Sequence, residues 1–239
     1  MNIKRIIRLF DEGNVCVCGL RGRGKDMLLA NVVMRRKKPY VSNVDYGGVH
    51  YNFDPREFLC GGNTYRNFIF GPINHYEYPY PDETDIYISD AGIYFPSQYC
   101  GELNRDYGHM ATFMALSRHL GDCNVHFNVQ NLNRVWDKIR EQSDTYIMCN
   151  GCKVIFGIVF QRVTIYEMSE SAVKRVPPFR VRRPLINPNR IQTWELAKQS
   201  YEISHGRIQR RLLIYKNRST YNTRIFKEVL ENALKKEEN

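Results

Sequence analysis

Gly19-Leu20-Arg21-Gly22-Arg23-Gly24-Lys25-Asp26 is the stretch that decides the fold. Its spacing is G-x-x-x-x-G-K, and it follows the apolar run Val15-Cys16-Val17-Cys18. A helical pattern begins at Met27 and continues to Arg36. Strand, glycine loop and helix in that order are what a phosphate cradle requires. The glycines let successive N–H groups turn inward, the helix N-terminus adds a positive dipole, and Lys25 reaches the outer phosphates. Gly19 to Met27 are therefore the expected nucleotide-binding residues. One position departs from the pattern: Asp26 stands where a hydroxyl residue ordinarily ligates Mg²⁺. The rest of the chain has to account for that carboxylate.

Before the loop, Ile3, Ile6, Ile7 and Phe10 recur at helical spacing and predict a short amphipathic helix over residues 2–12. After it, Tyr40–Val44 reads as a strand, and residues 49–66 read as a loop with a short helix. Asp85–Ala91 is a strand with carboxylates near both ends, Asp106–His119 a helix, and Asn124–Gln130 a strand that ends in glutamine. Leu132–Gln142 is expected to be helical. Thr145–Met148, Lys153–Gln161 and Arg162–Met168 are expected strands, with Asn150-Gly151 as a hairpin turn. Strands alternating with helices indicate an α/β fold: a mainly parallel, doubly wound sheet with an antiparallel edge. The Tyr- and Pro-rich segment 72–84 cannot be regular helix and reads as a packed surface loop.

The 239 residues suffice for one domain of roughly 160–200 residues with its own core. We expect that domain over residues 1–170, followed by a basic linker and helical extension over 171–239. The net charge is +10, and residues 170–239 hold 16 Lys and Arg against 7 Asp and Glu. The first 169 residues are nearly balanced, so the excess sits in the tail and points to a polyanionic partner. No stretch approaches the ~20 apolar residues that span a bilayer, and the first residues lack a signal sequence, so a cytoplasmic location is expected. Seven cysteines, an odd number in a chain able to bury its own core, are expected as reduced thiols. Cys149 and Cys152 have a zinc-knuckle spacing without an evident second ligand pair.

Ser89-Asp90-Ala91-Gly92-Ile93-Tyr94-Phe95-Pro96 resembles the D-E-A-x-x-x-F-P segment of the zonular occludens toxin (Zot)-like proteins, the filamentous-phage assembly ATPases of the FtsK/HerA superfamily. Ser117 to Gln130 resembles that family's R-H-x-G-x-D segment and the glutamine-ended strand after it. The resemblance covers roughly residues 14–168. It implies an additional-strand P-loop NTPase that binds ATP and Mg²⁺. Gly19, Gly24 and Lys25 match the cradle and Gln130 the γ-phosphate sensor. Arg118 lies where the family has a basic residue, a sensor or a finger reaching into a neighbouring subunit, or simply a helix-end ion pair.

Two registers of the acidic segment are open. Aligning Phe95-Pro96 places Ser89 at the Mg²⁺-carboxylate position and Asp90 at the catalytic acid. Asp26 and Ser89 are then a reciprocal exchange that keeps one hydroxyl and one carboxylate for the cation. The other register makes Asp90 the metal ligand and leaves Ala91 where an acid is needed. The resemblance implies a motor that packages, assembles or moves phage or plasmid DNA as a homo-oligomeric ring, with a membrane-anchored or capsid partner. A nucleotide-binding DNA-associated scaffold without turnover is the alternative, and a small-molecule kinase a third. Arg180, Arg182, Arg183, Arg190, Arg207, Arg210 and Arg211 are the expected DNA contacts, non-specific and salt-sensitive, unless the tail is only a solvated charge run.

Overall fold

A computed structural model describes residues 2–53, 80–97, 104–168 and 206–219. Asn2 opens α1 (Ile3–Glu12) by accepting the Lys4 N–H, and the helix buries Ile3, Ile6, Leu9 and Phe10. The elements that follow are β1 (Val15–Cys18), α2 (Lys25–Arg36), β2 (Tyr40–Ser42), β3 (His50–Asn52) and β4 (Asp85–Ile88). Next come α3 (Ala91–Tyr94), α4 (Asn104–Gly121), β5 (Val125–Val129) and α5 (Asp137–Arg140). Three long strands complete the set: β6 (Thr145–Ile155), β7 (Ile158–Met168) and β8 (Gly206–Lys216).

The eight strands among the described residues form one sheet in the order β3-β2-β4-β5-β1-β6-β7-β8. Pairing is parallel from β3 to β6 and antiparallel from β6 to β8. This is the expected parallel sheet with an antiparallel edge. Every residue of β1, β4 and β5 is buried, as parallel strands covered on both faces require. One face packs Cys16, Cys18, Ile86, Phe127 and Val129 under α3 and α4, and the other packs Val15, Val17 and Tyr87 under α1 and α2.

Several local expectations change. Leu132–Gln142 is not one helix: a 3₁₀ turn at Leu132–Arg134 and the four-residue α5 are separated by Val135 and Trp136, both buried in extended backbone. His50–Asn52 is a strand where a loop was expected. The β6–β7 turn is Phe156-Gly157, both at positive φ as a two-residue hairpin demands. Asn150-Gly151 is instead a β-bulge within β6, held by the Asn150 amide on Thr164 Oγ1 at 2.9 Å. The sheet also extends past residue 170, because β8 pairs with β7 along its whole length. Its exposed arginines suit an edge strand, and they made the segment read as tail. The extended run 176–184 and the helices expected at 193–205 and 221–236 lie outside the described residues.

The end of the sheet where the parallel strands begin carries a buried polar network. Arg36 bridges Asp85, Asp11 and the Tyr87 hydroxyl. Burial works against charge on Asp85, but His126, Arg36 and the Asn124 N–H together hold its carboxyl below the usual value. His126, fully buried between Phe10 and Tyr87, accepts the Val15 N–H on Nδ1, and its pKa is lowered by burial although Asp85 opposes the shift. The folded state thus favours neutral imidazole. The stability this contributes is complete above the unfolded pKa of about 6.5 and is lost as pH falls below it towards the lowered folded value. We expect His126→Gln to flatten the fall of melting temperature between pH 7 and pH 5 relative to the unsubstituted protein. Equal slopes in thermal melts would refute that role.

Candidate nucleotide and metal site

The cradle is built where β1 ends. Gly19 donates its N–H to Val129 O on β5 at 3.2 Å, and a Cβ there would lie 2.7 Å from the Cys149 carbonyl. Gly24 has φ +84 and caps α2 without a side-chain acceptor, so no side chain competes for the first-turn N–H groups. Behind the loop, Gln161 of β7 donates to the Gly24 carbonyl at 2.8 Å and accepts from the Tyr215 hydroxyl of β8 at 2.7 Å. Arg23 donates to the Asn150 carbonyl at 3.3 Å. The loop therefore leans on the antiparallel extension, while β5 separates β1 from β4 on its other side. The fold is that of an additional-strand P-loop NTPase.

The charged centre of the site lies between α2 and the end of β4. Lys25 is only 6% exposed, and its Nζ sits 3.2 Å from Asp26 Oδ2 and 3.6 Å from Asp90 Oδ1. Asn128, fully buried on β5, donates from Nδ2 to Asp26 Oδ1 at 2.8 Å and to Ser89 Oγ at 3.2 Å. Its Oδ1 accepts the Asp90 N–H at 2.7 Å, so the chemistry of the partners fixes which way the amide points. Asn43 clasps the Ser89 backbone, accepting its N–H at 2.7 Å and donating to its carbonyl at 3.1 Å. Asp90 itself is left-handed, with φ 51. Burial raises its pKa, Asp26 adds to the rise, and Lys25 opposes it.

The structure thus gathers Lys25, Asp26, Ser89 and Asp90 at one place. Asp26 and Ser89 share a single donor, so their oxygens face a common point. A carboxylate and a hydroxyl are hard oxygen ligands of the type Mg²⁺ takes, and the pair fits that cation. Asn128 and Gln161 were not singled out from the sequence.

Gln130 is exposed just beyond β5 and lines a cavity of about 260 Å³ together with Gly19, Leu20, Arg23, Met148 and Asn150. It stands beside the first half of the cradle. Arg118 does not. It is in the last turn of α4, its guanidinium bonded to the Glu12 carbonyl and 4.0 Å from Asp144. Those partners precede β1 and β6, so Arg118 lies at the opposite end of the strands and cannot be a sensor in its own chain. A helix that leads into a parallel strand ends where that strand begins, away from the cradle.

Arg207 and Arg210 are exposed on β8, and Arg211 donates to Gln209 Oε1 at 2.8 Å. Arg180, Arg182, Arg183 and Arg190 lie outside the described residues. Cys149 is buried and Cys152 half-buried on the same strand beneath the cradle.

No family model matches the chain, and no curated protein matches it. Solved structures do. The N-terminal domain of zonular occludens toxin from Neisseria meningitidis is 10% identical, with a TM-score of 0.47, over 90% of this chain and 97% of that one. B204, the DNA-packaging ATPase from Sulfolobus turreted icosahedral virus, is 12% identical, with a TM-score of 0.41, over 65% of this chain and 92% of that one. EssC (ATPases 2 and 3) from Geobacillus thermodenitrificans is 11% identical, with a TM-score of 0.37, over 59% of this chain and 32% of that one.

Two outcomes test the geometry. Gly24→Ala puts a Cβ 2.4 Å from Cys152 Cβ at a left-handed φ. The left-handed backbone alone costs about 1–2 kcal/mol, so melting should fall by about 2 °C or more and nucleotide affinity at least tenfold; unchanged values in both would refute the cradle geometry. Asp90→Asn removes a carboxyl whose raised pKa makes its ionised form unfavourable in the folded protein. That cost is absent below the unfolded value of about 3.9 and grows as pH rises through the folded one. The variant should therefore melt higher than the unsubstituted protein at pH 7–8, with the gap closing near pH 4. A lower melting point at pH 7 would show that the Lys25 ion pair outweighs burial.

Proposed function

We propose that the chain is a Mg²⁺-dependent ATPase that packages, assembles or moves DNA, as the Zot-like proteins it resembles do. The observation that carries this reading is the convergence of Lys25, Asp26, Ser89 and Asp90 beside an open glycine cradle. In this reading Gly19 to Met27 hold the phosphates of ATP, with the Lys25 ammonium on the outer two. Asp26 and Ser89 hold Mg²⁺, which when bound supplies positive charge to the phosphate oxygens. Asp90 takes a proton from the attacking water; burial raises its pKa, which makes its carboxylate a stronger base than a free one. Gln130 orients the terminal phosphate from its place beside Gly19 and Leu20.

The basic C-terminal segment supplies sequence-independent contacts to DNA phosphates, with Arg207, Arg210 and Arg211 along β8 and Arg180, Arg182, Arg183 and Arg190 before it. Subunits assemble as a ring in the cytoplasm, with hydrolysis between neighbours, next to a membrane-anchored or capsid partner. Among the described residues no helix is long and apolar enough to cross a membrane.

A second reading, a nucleotide-gated DNA scaffold without turnover, is favoured by one observation. Asp90 is a carbon shorter than glutamate and already paired with Lys25 at 3.6 Å.

ATP hydrolysis measured with and without single- and double-stranded DNA separates the two: DNA-stimulated turnover is expected, whereas binding without turnover supports the scaffold. Affinity for DNA should fall steeply with salt, roughly 0.9 log units per log unit of salt for each phosphate contact. For the metal pair, Asp26→Ser alone should abolish Mg²⁺-dependent nucleotide binding, and adding Ser89→Asp should restore it. No rescue would sink the exchange of ligand roles.

A further inference from the structure

Among the described residues, Asn128 is the one side chain that touches all three parts of the proposed centre. It sits on the strand between the cradle strand and the strand that carries Ser89 and Asp90, and it is 0% exposed. Its amide nitrogen is spent on Asp26 Oδ1 and Ser89 Oγ, and its oxygen on the Asp90 N–H. A buried amide is stable only with such partners, and removing one leaves the others desolvated and unpaired. Its three partners come from α2, from Ser89 just past the end of β4 and from the residue after it.

We propose that Asn128 is a positioning residue of the Mg²⁺–nucleotide centre, one that holds Asp26 and Ser89 together when no cation is bound and ties that pair to the backbone of Asp90. This rests on the reading of Asp26 and Ser89 as the metal pair. An N–H donor and a cation compete for the same oxygen lone pairs. The amide is therefore a neutral stand-in for the metal: it keeps two acceptor oxygens from neighbouring elements facing one point, without a desolvated charge. Because the same amide carries the Asp90 N–H on its other end, displacing its nitrogen acts directly on the peptide that aims the candidate base. Asp26 alone has no such link, since its other oxygen is taken by Lys25 at 3.2 Å.

The test compares nucleotide affinity in Mg²⁺ with affinity in EDTA, using a fluorescent ATP analogue on the full chain. The ratio of the two should fall at least tenfold in Asn128→Leu. A ratio within twofold of the unsubstituted protein, in a variant that still melts cooperatively, overturns the assignment. A ratio near one in the unsubstituted protein overturns the metal-pair reading itself, so the two failures are distinguishable. Should Asn128→Leu not fold, Asn128→Asp keeps the shape, loses both donated bonds and sets a carboxylate against Asp26. Mg²⁺ without nucleotide should then raise the melting temperature of Asn128→Asp more than that of the unsubstituted protein. An equal or smaller rise overturns the proposal.

Discussion

Parallel pairing on both sides of β1 is the constraint from which the rest follows. Cys18 is in register with Val129 of β5 on one side and Met148 of β6 on the other, so β1 and β5 end together while β6 runs on past them to Ile155. Parallel neighbours must be joined by crossovers, and each crossover leaves its strand at that same edge. The glycine cradle, Ser89 and Asp90, and Gln130 are all first residues beyond such ends. The opposite edge collects the beginnings of the strands, where Asp85, Arg36, His126 and Asn14 stitch α1, α2, β4 and β5 together. Chemistry is gathered at one edge and buried polar bracing at the other. Arg118 belongs to the second, which is why its pairing with Asp144 is structural within the chain.

How much of this is legible in the sequence depends on whether the signal is local. The cradle is: its glycines and Lys25 lie within seven residues of one another, and each is demanded by a backbone turn or a phosphate. The parallel sheet with an antiparallel edge is legible from the alternation of strands and helices plus the resemblance, whereas β3 and β8, the two end strands, are not. Asn128 is different. In Val125-His126-Phe127-Asn128-Val129 the polar residues alternate with apolar ones, which reads as a strand with one wet face. The strand is covered on both faces, so that polar face has no water. His126 must turn to Asp85 and Asn128 to Asp26 and Ser89. Gln161, between Val159 and Val163 on β7, follows the same logic in holding Gly24. A polar side chain in the middle of a covered sheet is obliged to find partners, and here the partners are the site.

The misread elements fail for related reasons. Asn150-Gly151 has turn chemistry, yet the alternation continues through it to Ile155, and the chain absorbs the extra residue as a bulge. That bulge brings the Asn150 carbonyl to Arg23, so the irregularity supports the cradle. Leu132–Gln142 has helical spacing, but Val135 and Trp136 bury better as extended chain, with Trp136 N bonded to the Phe95 carbonyl. β8 was hidden by its arginines. Leu213 and Tyr215 face the core between them, and Asn217 and Arg218 bond Asn31 of α2, so the C-terminal strand is anchored on the same helix that carries Asp26.

The position of Asp26 also has an electrostatic consequence. With the usual hydroxyl after the lysine, the nearest negative charges would lie on β4, across the site from the helix. Here a carboxylate occupies the first turn of α2, where the helix dipole favours it. The same dipole is what a phosphate cradle offers its ligand. Asp26 and a bound phosphate therefore draw on one source of positive potential, and both draw on Lys25, which already faces Asp26 and Asp90. One ammonium against two carboxylates leaves the centre net negative before any polyphosphate arrives. In the proposed reading, a divalent cation held between Asp26 and Ser89 would remove that repulsion, whereas a nucleotide without a metal would meet it in full. The proposed exchange of ligand types would keep the donor set but move the negative charge to the phosphate side, which would make the cradle more dependent on its cation than the ordinary arrangement.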